Sequence, residues 1–224
     1  MNLILLHGAL GSADQFGPLL PHLGPDTPVY CMNFPGHGGL STDDPIFLPQ
    51  MAEALVQFVK ERRLDGARVF GYSMGGYAAL WAASLHPGLF SEIRTLGTKF
   101  DWTPEGAERE IAMLDAEKIE AKVPQFAAAL AQRHAPADWK RVLTNTQKLM
   151  LDLGSGNKLG RSELAGINIP VTIARGEFDN MVSEAESMEA ASWLPKGKFK
   201  TLTGFKHPLE QVDVAVLADY VAGV

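Results

Sequence analysis

The chain holds a single cysteine, Cys31. One cysteine rules out an internal disulfide and a cysteine-rich metal site, and it suits a reducing compartment. Positive charge is not in excess either. The formal net charge is −6, and Lys and Arg never run more than two in a row, so the basic surface that a nucleic-acid partner requires is missing. No apolar stretch approaches the roughly 20 residues that span a bilayer. The opening Met1-Asn2-Leu3-Ile4-Leu5-Leu6 is apolar, but it is too short for a signal-peptide core and has no basic residue ahead of it. These absences set the expectation of a cytoplasmic chain with no membrane and no nucleic-acid partner. Internal repeats and low-complexity segments are also lacking.

What remains is an ordinary soluble composition. At 224 residues, 46% hydrophobic and 21% charged, the chain is long enough for one α/β domain with an inserted subdomain. Its most informative stretch is Gly71-Tyr72-Ser73-Met74-Gly75-Gly76. Ala67-Arg68-Val69-Phe70 before it has the look of a buried strand, and the alanine-rich run 77–85 after it suits a helix. Among 22 glycines a Gly-x-Ser-x-Gly match can arise by chance. A strand ahead and a helix behind make it a nucleophile elbow, in which the turn is too sharp for side chains at the flanking glycines. Ser73 would then sit in strained backbone, with the free N–H groups of a helix start beside it.

Residues 3–6 and 28–33 form two further strand candidates, with the glycine-containing loops His7-Gly8-Ala9-Leu10-Gly11-Ser12 and Phe34-Pro35-Gly36-His37-Gly38-Gly39 after them. Residues 16–23 suggest a short helix interrupted by Pro18 and Pro21, and 48–63 carry an apolar stripe at helical spacing. Residues 93–98 make a fourth strand, and the alternation so far implies a parallel sheet. Then the rhythm breaks. From about 101 to 166 the pattern is helical only, over 104–120, 124–134, 138–153 and 158–165. Alternation resumes with a strand at 170–175, a helix at 183–194, a strand at 198–202 and a terminal helix over 209–222. This divides the chain into a core, 1–100 with 167–224, and a helical insertion, 101–166.

In its motifs and their order the sequence resembles the α/β-hydrolase superfamily over essentially its whole length. The motifs are His7-Gly8, Phe34-Pro35-Gly36-His37-Gly38, the elbow, Gly176-Glu177-Phe178-Asp179 and His207. Nucleophile, acid and histidine occur in that superfamily's order. The resemblance implies an α/β-hydrolase fold: a reduced, parallel sheet of about six strands, helices on both faces, and the insertion as a cap over the elbow.

A serine hydroxyl needs a positioned base, and histidine suits that task. Of six histidines, His7 and His37 are read as loop-shaping, and His22, His86 and His134 as surface or helix-end residues. His207 follows a late strand, where loops converge on the ligand crevice, and is the base candidate. A third group should orient the imidazole. Asp179 lies where the family carries its acid, while Glu177 shares that loop and Asp101 follows the preceding strand. The resemblance implies oxyanion donors at Met74 and Ala9.

Leu10 could floor a substrate pocket. Trp102, Met113, Phe126, Trp139, Leu149 and Met150 could wall an apolar one, with Trp102, Phe126 and Met150 taken as the substrate contacts. The expected partner is a small ester or acyl compound, the chain a monomer or small homo-oligomer, and no metal or cofactor is implied. Three alternatives share the fold: a lyase or synthase like the menaquinone-pathway enzyme, a C–C bond hydrolase, and a ligand-sensing receptor. The first carries an arginine soon after the elbow, where this chain has Tyr77.

Overall fold

Six short strands carry the chain: β1 (Leu3–Leu6), β2 (Val29–Met32), β3 (Ala67–Tyr72), β4 (Phe90–Leu96), β5 (Val171–Gly176) and β6 (Gly197–Leu202). In the computed structural model, which describes residues 1–42 and 44–223, they form one sheet in the order β2-β1-β3-β4-β5-β6. Every neighbouring pair is parallel. Both faces of such a sheet must be covered, and the strands are written for that. Along β1, Ile4 and Leu6 join one hydrophobic cluster and Leu3 and Leu5 the other.

The first face is covered by α1 (Leu48–Arg62), α2 (Met74–Leu85) and α8 (Glu184–Trp193), the second by α9 (Val214–Ala222) and the 3₁₀ turns Ala13–Phe16 and Leu20–His22. The two prolines reduce the expected helix at 16–23 to those turns, since Pro18 and Pro21 cannot donate helical hydrogen bonds. The terminal helix begins only at Val214, where the Asp213 carboxylate caps the amides of Ala215 and Val216.

Between β4 and β5 the described residues form five helices: α3 (Pro104–Ile111), α4 (Ala116–Lys122), α5 (Pro124–His134), α6 (Trp139–Gly154) and α7 (Arg161–Ala165). The pattern over 104–120 is two helices, because Asp115 caps a fresh start by accepting from the Lys118 amide. Ile119, Ala127, Leu130, Trp139 and Leu143 gather α4, α5 and α6 around a small core of their own. The other side of α6 turns inward, so Leu149 and Leu153 join the main core with Trp102. α7 packs on α2 and α8, with Leu164 fully buried. Among the described residues no helix is long and apolar enough to cross a membrane.

Candidate active site

Because the strands are parallel, their C-terminal ends lie along one edge of the sheet, and the loops leaving them meet there. Ser73 leaves β3 at that edge with φ 50° and ψ −115°, a conformation that residues with a Cβ rarely adopt. Its amide donates to the Leu96 carbonyl at 2.8 Å, and the Thr98 hydroxyl donates to its carbonyl at 3.0 Å. The flanking glycines are required by contact. A Cβ on Gly71 would collide with the backbone of Gly76, and one on Gly75 with the Leu6 carbonyl. α2 starts at Met74, which leaves the first amides of that helix without intrahelical partners.

The loop after β1 comes to the same place. A Cβ on Gly8 would stand 3.2 Å from the Ser73 Cβ. Gly8 to Gly11 form a turn closed by the Gly11 amide on the Gly8 carbonyl at 3.1 Å, with Leu10 at φ 59°. His7 beneath it is fully buried and bonded at both ring nitrogens: Nδ1 pairs with the Gly8 carbonyl at 2.8 Å, and Nε2 accepts from the Phe34 amide at 3.1 Å. Burial, and after it neighbouring His37, hold His7 far below the ordinary histidine range. It is a neutral brace between the loops after β1 and β2.

From the other side, His207 Nδ1 meets Asp179 Oδ2 at 2.8 Å. Asp179 Oδ1 accepts from the amides of Met181 and Val182 at 2.9 and 3.0 Å. Burial of the Asp179 carboxyl pushes its pKa up, but the His207 hydrogen bond and charge together with those two amides outweigh it, and the net displacement is downward. Tyr72, the last residue of β3, donates its hydroxyl to the His207 carbonyl at 2.8 Å, which ties the histidine loop to the strand that carries Ser73. No hydrogen bond joins Ser73 to His207 in this structure.

A cavity of about 50 Å³ opens at Ser73, Met74 and Ala9. Its walls are mostly apolar, with Tyr77, Trp102, Leu149 and Met150 among them. Lys99 also lines it, its ammonium donating to the Met181 carbonyl at 3.1 Å and pairing with Glu110 at 3.6 Å.

The model of the alpha/beta hydrolase family matches residues 3–204. The chain belongs to the alpha/beta hydrolase family. Pimeloyl-[acyl-carrier protein] methyl ester esterase of Xylella fastidiosa is 26% identical over 223 residues, 90% of this chain and 85% of that one. The enzyme so named in Xanthomonas campestris is 33% identical over 183 residues, 78% of this chain and 61% of that one. Among solved structures, NosK from Streptomyces actuosus superposes with a TM-score of 0.82 at 21% identity, covering 99% of this chain and 96% of its own. MenH from S. aureus does so at 0.76 and 19%, covering 100% and 92%. At those identities the likeness is one of fold.

In this hydrolase the expected pocket residues separate. Trp102, Leu149 and Met150 line the cavity. Phe126 is 40% exposed and Met113 59%, and Trp139 and Leu10 pack with the small α4–α6 cluster. Phe126 and Leu10, expected from the sequence as substrate contacts, are not among the residues that line this cavity. The candidate acids separate as well. Glu177 Oε2 accepts from the Gly204 amide at 2.9 Å, Asp101 is exposed, and Thr103 rather than Asp101 caps α3.

Two features were not anticipated. Tyr77 stands four residues, about one helical turn, after Ser73 and so faces the same side; that spacing was a usable signal. His134, read as a helix-end residue, is fully buried. Its Nδ1 accepts from the Gly38 amide at 3.1 Å and its Nε2 pairs with the Leu10 carbonyl at 3.2 Å. Nothing local in the sequence points to those partners.

Proposed function

We propose that the chain is a serine hydrolase that cleaves a carboxylic ester or related acyl bond through Ser73, His207 and Asp179. The observation that carries this is the Asp179–His207 pair on the sheet edge where Ser73 is held at positive φ. With Nδ1 engaged by Asp179, His207 Nε2 is left to take the Ser73 proton as Oγ attacks the acyl carbon. The tetrahedral oxyanion is met by the Met74 amide at the start of α2 and by the Ala9 amide. Collapse expels the alcohol, which takes the proton from His207, and leaves an acyl group on Ser73. Water then repeats the sequence, with His207 again the base.

The relatives named as methyl ester esterases support ester cleavage as the reaction. Residues 101–166 act as the cap that sets substrate choice, through Trp102, Leu149 and Met150. A cavity of about 50 Å³ is a few times the roughly 10–15 Å³ that one water requires.

A fluorophosphonate probe should label one residue, Ser73, identified by peptide mass spectrometry. Ser73→Ala should lower kcat for p-nitrophenyl acetate by at least about a thousandfold. Labelling elsewhere, or full turnover in Ser73→Ala, refutes the assignment. Repeated turnover of the ester separates an enzyme from a receptor that reacts once.

A further inference from the structure

The turn that carries Ala9 is held in place from the helical segment. Leu10, its third residue, has φ 59°, the left-handed region that normally calls for glycine at that position. Nothing in a leucine side chain favours it, so the conformation has to be imposed. Two side chains at the C-terminal end of α5 converge on the Leu10 carbonyl: Arg133 Nη1 donates at 2.9 Å and His134 Nε2 pairs at 3.2 Å.

Both are themselves braced. His134 Nδ1 accepts from the Gly38 amide at 3.1 Å, which assigns its single proton to Nε2 and makes that nitrogen the donor to Leu10. Burial chiefly, and the Arg133 charge, keep this imidazole neutral by drawing its pKa down, although the bond to Leu10 opposes them. Arg133 Nη2 reaches Glu210 Oε1 at 3.4 Å, and the same oxygen accepts from Gln15 Nε2 at 2.8 Å. The clamp therefore joins α5, the loops after β1 and β2, and the segment just past His207.

We propose that His134 and Arg133 are positioning residues for the oxyanion hole: by holding the Leu10 carbonyl they keep the turn in the form that presents the Ala9 amide to the acyl oxygen. The inference rests on the reading of Ala9 as an oxyanion donor. The Leu10 carbonyl shares its peptide with the Gly11 amide, which donates to the Gly8 carbonyl at 3.1 Å, and that carbonyl shares its peptide with the Ala9 amide. Without the clamp Leu10 can return to negative φ, the Gly11–Gly8 bond is lost and the Ala9 amide shifts against Ser73. The loss falls on the transition state, because the ester in its ground state carries no oxyanion.

The test is steady-state hydrolysis of p-nitrophenyl acetate by the full chain, with inhibition by a trifluoromethyl ketone, whose tetrahedral adduct requires the same donors. Removing an oxyanion donor outright costs on the order of a hundred- to a thousandfold in kcat. A displaced donor in His134→Ala should cost about ten- to a hundredfold, with KM changed by less than about threefold and inhibitor affinity falling in step with kcat/KM. Leu10→Gly removes the backbone penalty, so Leu10→Gly/His134→Ala should recover most of the lost kcat.

Arg133→Met, at a half-buried position, should show a smaller loss that Leu10→Gly also relieves, and it decides the matter if His134→Ala does not fold. Wild-type kcat in the folded variants, or a loss that Leu10→Gly leaves unrelieved, overturns the clamp. Full turnover in Ser73→Ala would instead refute the hydrolase reading itself, so the two failures are distinguishable.

Discussion

Asp179→Asn is the substitution whose outcome the geometry defines most closely. The carboxylate uses its two oxygens differently. Oδ1 is fixed by two backbone donors, the amides of Met181 and Val182, while Oδ2 faces His207 Nδ1 at 2.8 Å. In the amide, those backbone donors retain the carbonyl oxygen, so the NH₂ group is directed at His207. Nδ1 must then accept rather than donate, the ring proton moves to Nε2, and the base that should take the Ser73 proton is lost. For that change of tautomer kcat should fall by up to about ten-thousandfold.

Folding should suffer little. The Asp179 side chain is 1% exposed, so the weakening of two charge-assisted hydrogen bonds, about 1–2 kcal/mol together, is partly offset by no longer burying a charge. Hydrolysis of a p-nitrophenyl ester, beside a thermal melt followed by circular dichroism, measures both quantities. An Asp179→Asn enzyme within about tenfold of wild type would refute the reasoning, since neither the tautomer nor the pairing would then matter. A crippled Asp101→Asn beside a tolerated Asp179→Asn would transfer the role to the earlier loop.

The buried histidines predict acid sensitivity. Burial above all, with a smaller push from His134, draws His37 down to about 4 against the opposing hydrogen bond to the Pro35 carbonyl. Its folded value lies below its unfolded one, so the unfolded chain takes up the proton first. Stability is complete above about pH 6.5 and is lost as pH falls toward about 4, by some 3 kcal/mol from His37 alone. Urea midpoints measured between pH 7 and 4.5 should decline, and less steeply in His37→Gln; an equal decline in both would refute the assignment. Trp102→Ala, at the cavity wall, should shift the preferred acyl length, whereas Phe126→Ala, 40% exposed, should not; an unchanged profile in both would mean that 101–166 does not form the pocket.

How much of this was legible in the sequence follows from how local each cause is. The elbow was readable because its steric demand falls on residues two positions from Ser73: Gly71 and Gly75 meet backbone where a Cβ has no room. The strands were readable because both faces are buried, which writes continuous apolar runs such as Leu3-Ile4-Leu5-Leu6. Prolines and caps marked where helices stop and start, although the Asp115 restart was missed.

Helix rotation was not readable. Ala127, Leu130 and His134 form the buried side of α5, and Phe126, about 100° round the helix from Ala127, lies at the edge of that side and is left to solvent. Only the neighbours of α5 settle that choice. Pairings distant in sequence were decided the same way. The family resemblance favoured Asp179 over Asp101 and Glu177, but composition alone does not separate three carboxylates; the fold commits Glu177 to the Gly204 amide and brings Asp179 to His207, 28 residues away. His134 reaches Leu10 across 124 residues and Gly38 across 96. The sequence by itself determined the elbow, the parallel sheet and the kind of chemistry, because local sterics and strand burial encode them. The Asp179–His207 contact itself, the sorting of Trp102, Leu149 and Met150 from Phe126 and Leu10 at the cavity, and the contacts of Arg133 and His134 with the Leu10 carbonyl join segments far apart in the chain, and only the tertiary structure decided them.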